Sequence, residues 1–279
     1  MLGESAVWLP DRNAVAWVDI PGGLVHVTEA ASGRTQSVDL GEPVGAVVAG
    51  PGDTLVAGGT RGLWQIGGGE APRFLGAPPG HSAATHRFND ATTDPIGRLI
   101  IGTLALAPNQ GQPSGRLYAF CSSDGWRCLL DGFRTINGLA FSPDGRTLYV
   151  ADSHPDVQRI WTTDYNVVTG AIGSRHMFAD FNCLAGRPDG AAMDSQGGYW
   201  VAATDAGRIY RFAANGILTD TVHLPVTWPT RPCFGGGVLR DLYVTTRRGP
   251  GGLTSGPLDG ALLRVGVDWT GVVIPPWRG

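Results

Sequence analysis

The sequence predicts an all-β fold: a six-bladed β-propeller, with four-stranded antiparallel blades around a central channel. Three observations carry this expectation. A short β-branched or aromatic strand recurs six times, turn signals punctuate the intervals, and no convincing amphipathic helix interrupts 279 residues that include 43 glycines.

The clearest copy is Asn137-Gly138-Leu139-Ala140-Phe141, a turn at Ser142-Pro143-Asp144-Gly145, and a return through Thr147-Leu148-Tyr149-Val150. Counterparts of the returning strand are Ala16–Asp19, Leu55–Gly58, Ile100–Thr103, Tyr149–Asp152, Trp200–Ala203 and Tyr243–Thr246. With Val18, Val56, Ile101, Val150, Val201 and Val244 taken as equivalent, the steps are 38, 45, 49, 51 and 43 residues. A third strand follows each return, at Gly23–His26, Gly62–Gln65, Gly115–Tyr118, Arg159–Trp161, Gly207–Tyr210 and Gly260–Leu263. A unit of this size with about four strands is the signature of a propeller blade, and six units fill residues 1–279 as one domain. The chain starts almost on a first inner strand, Glu4 to Trp8, whereas Val272-Val273-Ile274 has no local hairpin partner. The tail is therefore expected to complete the first blade.

Composition excludes several functions. The net charge of −3 and a charged fraction of 16% recommend neither nucleic acid nor an anionic membrane as partner. No lysine occurs, which removes Schiff-base chemistry and the phosphate-loop lysine. No apolar run has membrane-span length and the first residues carry no signal pattern, so a cytoplasmic location is the default expectation. Cys121, Cys128, Cys183 and Cys233 lack metal or disulfide spacing and read as small buried hydrophobes. The turn after Cys121 predicts Cys121 opposite Trp126, not Cys128.

Chemistry enters where the inner strands start. Glu4, Asn89, Asn137 and Asp189 lie 14, 12, 13 and 12 residues before their returning valine or isoleucine. The other two units offer Gly45 and the neighbourhood of Pro232. Asn and Asp also cap strand ends, but four such residues at one level of a channel suggest a shared ligand. Two carboxylates and a carboxamide from Glu4, Asn137 and Asp189 suit one hard or borderline divalent cation, which would offset the cost of burying the acids together. Calcium, zinc, magnesium, manganese and ferrous ion all remain open. Arg87, two residues before Asn89, adds a cation able to hold a carboxylate or a polarised oxygen.

These segments, together with Gly3-Glu4-Ser5-Ala6-Val7-Trp8, Arg87-Phe88-Asn89-Asp90, Asp94-Pro95-Ile96-Gly97-Arg98, Pro188-Asp189-Gly190 and Phe234-Gly235-Gly236, resemble the SMP-30/gluconolactonase/regucalcin-like family over nearly the whole chain. The resemblance implies a six-bladed propeller and a metal-dependent sugar lactonase. It implies Glu4, Asn137 and Asp189 as metal ligands, Asp189 also as the catalytic base, and Arg87 and Asn89 as substrate-binding residues. Leu104-Ala105-Leu106-Ala107 lacks the acidic residue that some sugar lactonases of this family carry there, and Ala91 stands where glycine is usual. The partner expected is thus a small-molecule lactone. Competing readings are another ester or a phosphotriester hydrolysed at the same metal, and a non-catalytic calcium- or ligand-binding propeller.

No GxSxG, HExxH, P-loop or GxGxxG motif is present. Of the six histidines, His86 and His154 fall on the active face. Three connections rim that face: Leu104 to Ser114, His154 to Gln158, and Arg247 to Asp259. Arg247-Arg248 offers an attraction for an anionic substrate, or simply a solvated pair.

Overall fold

A computed structural model describes residues 1–249 and 256–279. Six antiparallel sheets follow one another in chain order. Blade one comprises β1 (Gly3–Leu9), β2 (Ala14–Asp19), β3 (Leu24–Glu29) and β4 (Thr35–Asp39). Blade two comprises β5 (Val44–Ala49), β6 (Thr54–Gly59), β7 (Leu63–Gly67) and β8 (Glu70–Gly76). Blade three holds β9 (His86–Thr93), β10 (Leu99–Ala105), β11 (Gly115–Cys121) and β12 (Gly125–Phe133). Blade four holds β13 (Ile136–Phe141), β14 (Thr147–Asp152), β15 (Arg159–Tyr165) and β16 (Ile172–Asp180). Blade five is β17 (Arg187–Met193), β18 (Tyr199–Thr204), β19 (Arg208–Phe212) and β20 (Leu218–His223). Blade six has three strands among the described residues: β21 (Pro229–Gly235), β22 (Asp241–Thr246) and β23 (Leu263–Gly266). Among the described residues the only helices are two 3-10 turns, Pro10–Arg12 and Phe181–Cys183.

Burial grades from the axis outward, which is why the innermost strands read as continuous small and apolar runs. β1 and β21 are buried throughout, whereas β4 is exposed throughout. Apolar side chains from facing blades form one cluster at each of the six inter-blade seams. Burial of this kind contributes roughly 25 cal/mol per Å² of apolar surface. It is the main force that holds blades sharing no strand.

Every innermost strand is bulged at its channel-facing start. In β13, Asn137 pairs with Ala151 and Ala140 with Tyr149, so Gly138 and Leu139 lie opposite Val150 alone. Corresponding shifts fall between Glu4 and Val7, Val44 and Ala46, Phe88 and Ala91, Pro188 and Ala191, and Pro229 and Arg231. A bulge re-aims side chains out of the regular alternation. Here it turns polar residues of a buried strand toward the channel.

Ring closure differs from the expectation. Blade one is complete from its own four consecutive strands, so Val272-Val273-Ile274 does not supply one. The tail instead crosses the far end of the channel: Val272 N–H donates to Met193 O, Trp277 N–H to Ala49 O, and Arg278 N–H to Gly97 O. Blades six and one close by packing, with Trp8 stacked on Tyr243 at 5.6 Å. A bridge between Leu2 and Arg247 and a Thr230 Oγ1 hydrogen bond to Gly3 O reinforce the seam. The third strand of blade six begins at Leu263, at the end of the Gly260–Leu263 segment expected for it.

The cysteines are all free, but only Cys121 and Cys233 are buried; Cys128 and Cys183 are exposed, contrary to the reading of all four as core residues. Cys121 pairs with Gly125 and Phe120 with Trp126, one residue away from the expected register, because the turn is three residues long.

Candidate active site

The bulged starts of the six inner strands meet at one end of the channel and build a polar belt. On blade three, Arg87 Nη1 donates to its neighbour's carbonyl, Phe88 O, at 2.8 Å and to Asn89 Oδ1 at 2.7 Å. Asn89 Nδ2 in turn donates to Ile136 O and to Asn137 Oδ1, both at 2.8 Å. Asn137 Nδ2 donates to Ser153 Oγ at 2.7 Å, and that hydroxyl donates to Pro188 O. The next residue, Asp189, lies within hydrogen-bonding reach of the Glu4 carboxyl. Ser5 N–H donates to Glu4 Oε2 at 2.8 Å, and the Ser5 hydroxyl accepts from Val47 N–H on blade two. Five residues singled out from the sequence thus occupy one continuous belt: Glu4, Arg87, Asn89, Asn137 and Asp189.

Two glycines let the belt close. Gly138 has φ +65°, and a Cβ there would sit 2.4 Å from the Tyr199 hydroxyl, which donates to Gly138 O. A Cβ at Gly190 would strike the Arg231 side chain at 2.5 Å.

The electrostatics of the belt are strained toward protonation. Burial pushes the Glu4 carboxyl up from 4.5 to about 7, and the nearby Asp90 charge adds to the rise. Burial and the Glu4 charge likewise hold Asp189 well above the usual carboxylate range, against the pull of Arg187 and Arg247. Neither acid forms an ion pair among the described residues. Desolvation pulls Arg87 down to about 10, with Glu4 and Asp189 opposing the fall.

Beneath the belt lies a pair that sequence reasoning missed. Arg231, from the blade with no acidic start, is fully buried and forms an ion pair with Asp90 of blade three. The second Asp90 oxygen accepts Leu139 N–H at 2.9 Å. Arg231 was hidden because Pro232, one residue on, stood as that unit's marker. Asp90 adjoins Asn89 within the same bulge.

The histidines on this face serve the rim. His154 is buried, and its Nε2 pairs with Asn109 Oδ1 at 2.6 Å; His86 Nε2 pairs with Ser114 Oγ at 3.0 Å. Arg134 Nη1 donates to Pro108 O at 2.8 Å. The connection from Leu104 to Ser114 is therefore stapled across blades three and four. In the connection from Arg247 to Asp259, residues 250–255 lie outside the described residues.

The donor set suits a divalent cation. Glu4 and Asp189 are adjacent acids in a low-dielectric site without a paired counter-charge among the described residues, and Asn137 Oδ1 keeps a second lone pair beyond the one used by Asn89. Among the described residues, no group of three or more His, Cys, Asp or Glu side chains is placed to hold a metal. A site here would consist of two carboxylates and a carboxamide.

Comparisons with known proteins extend over nearly the whole chain. The SMP-30/Gluconolactonase/LRE-like region matches residues 2–248. A 6-deoxy-6-sulfogluconolactonase of Pseudomonas putida is 32% identical over 285 residues, covering 100% of this chain and 96% of that protein. Regucalcin of Gallus gallus is 34% identical over 250 residues, with 88% and 83% covered. The structure of a calcium-binding regucalcin from Agrobacterium tumefaciens superposes with a TM-score of 0.91 at 24% identity, over 99% of this chain and 94% of that one. That likeness shows the shared fold.

Proposed function

The chain belongs to the SMP-30/gluconolactonase/LRE-like family, and from that premise we propose that it is a divalent-metal-dependent lactonase opening a sugar lactone, an aldonolactone, to its hydroxy acid. The observation that carries this reading is the pairing of the buried Glu4 carboxyl with the half-buried Asp189 carboxyl beside the Asn137 carboxamide at the mouth of the channel. Glu4, Asp189 and Asn137 Oδ1 would hold the ion. A divalent cation bound there supplies Lewis acidity toward the lactone carbonyl and toward water.

The remaining chemistry belongs to the chain. Asp189, held above the ordinary carboxylate range by burial and by Glu4, is suited to accept the proton of the water that attacks the carbonyl carbon. As the ring C–O bond breaks, the same carboxyl returns that proton to the departing ring oxygen, so lactone plus water gives hydroxy acid with no other reactant. Arg87 has one Nη anchored on Phe88 O and Asn89 Oδ1. Its other N–H groups are left to hold the substrate and to offset charge that develops on the carbonyl oxygen. Asn89 supports substrate binding by fixing both the Arg87 guanidinium and the Asn137 carboxamide.

The test is a lactone panel followed by proton release, run on chelator-treated protein before and after addition of Ca, Mg, Mn, Zn or ferrous ion. Turnover that needs one bound metal per chain is expected. Chelator-resistant turnover would overturn the metal dependence. Stoichiometric binding without turnover of any lactone would overturn the enzyme and favour a binding module.

A further inference from the structure

Beside the carboxyl pair, the rim carries a charge arrangement that hydrolysis of a neutral sugar lactone does not require. Arg187 stands two residues before Asp189 on β17, and Arg247 bridges Leu2, two residues before Glu4. Both reach for one acid. Arg187 Nε donates to Asp205 Oδ2 at 2.6 Å, while Arg247 Nη2 lies 3.7 Å from Asp205 Oδ1. One carboxylate is thus shared between two guanidinium groups at this edge of the mouth.

Arg247 is also the less satisfied of the two. Arg187 has a second acceptor in Ser153 O at 3.3 Å. Among the described residues Arg247 Nε is buried with no hydrogen-bond partner, and its side chain retains only 22% of its exposure. A solvated surface pair would show neither feature. A buried guanidinium N–H without an acceptor costs free energy, and a planar or tetrahedral oxyanion meets the guanidinium fork in two parallel hydrogen bonds. The charges of Arg187 and Arg247 both act on Asp189, which puts them within reach of a ligand seated on the carboxyl pair.

Resting on the lactonase reading above, we infer that the substrate is an aldonolactone with an acidic group away from the lactone, and that Arg247, backed by Arg187, is the subsite for that group. The chemistry recognised is an oxyanion on a sugar chain: a carboxylate, a sulfonate or a phosphate ester. Asp205 holds both guanidinium groups in place.

The experiment compares kcat/KM for a neutral hexonolactone with those for counterparts carrying a terminal carboxylate, sulfonate or phosphate ester, in the wild type and in R247Q. The acidic substrates are expected to be preferred, and the ratio of acidic to neutral kcat/KM to fall about ten- to hundred-fold in R247Q, the range of one hydrogen-bonded ion pair. The arm with the largest fall identifies which acidic group the subsite fits. In the wild type the same ratio should shrink as salt rises, a measurement that does not depend on how well R247Q folds. Equal kcat/KM for neutral and acidic lactones, or a ratio that ignores salt, overturns the inference while leaving the lactonase standing. If no lactone is turned over, calorimetry with the corresponding aldonic acids decides the subsite separately. Tighter binding of acid-terminated aldonates, lost in R247Q, supports it, and indifference to the terminal group overturns it.

Discussion

The same five inner strands, β1, β9, β13, β17 and β21, line both ends of the channel, yet the ends are chemically opposite. At the mouth stand Glu4-Ser5, Asn89-Asp90, Asn137-Gly138, Asp189-Gly190 and Arg231; a few residues further along come Trp8, Thr92, Leu139, Phe141, Met193 and Phe234. The second set encloses a cavity of ≈ 170 Å³ that the tail, Val272 to Pro275, closes off. The change falls at the bulges and at the Asp90–Arg231 pair. Polar groups buried at the mouth cost stability, and packing at the far end and at the seams offsets that cost. Each end can therefore be perturbed with a different expected signature.

The largest effect belongs to the mouth. Asp189→Ala should lower kcat by more than about 10³-fold, since base, ligand and charge go together. The unfolding midpoint should stay level or rise, because a half-buried carboxyl that repels Glu4 has been removed. Loss of activity together with stability would break the contrast between the ends. Wild-type activity with one metal bound would make the ligand assignment wrong.

At the boundary, Arg231→Met leaves Asp90 buried without its partner and should cost about 3–5 kcal/mol in denaturant unfolding. The double change with Asp90→Asn should recover much of that loss. Additive losses would show that the pair is not the coupling element between the ends. At the far end, Trp277→Ala should cost about 3 kcal/mol, as for a buried aromatic, and leave KM for the lactone untouched. A raised KM would show that the tail reaches the mouth's chemistry.

The two ends were unequally legible in the sequence. The repeat and its inner starts could be read because a buried strand must be small and apolar, so a polar residue at its start stands out, as Asn137 and Asp189 do. Arg231 escaped because each bulge inserts a residue, so counting back from the returning strand loses register, and in blade six the count settled on Pro232. The tail's route escaped for another reason. Val272-Val273-Ile274 has strand composition, but whether such a run joins a sheet edge or covers an apolar opening is decided by tertiary packing. The Asn109–His154 staple likewise joins residues of different blades, whose meeting only the closed ring creates.

The smallest expected effect tests the mouth's strain directly. Glu4 is held at about 7 in the folded chain against an ordinary 4.5. A carboxyl raised on folding contributes stability that is fully present below the unfolded value and is lost as pH rises through the folded one. In chelator, wild-type stability should therefore fall between pH 4.5 and 7 relative to Glu4→Gln, by on the order of 2 kcal/mol. A divalent cation competes with the proton for the same oxygens, so its stabilisation should grow over that interval and be greatest above pH 7. Denaturant unfolding of both proteins across this range, with and without metal, measures the difference. Parallel curves would mean that Glu4 is ionised at no cost, and that the mouth and the far end do not differ in the way their side chains suggest.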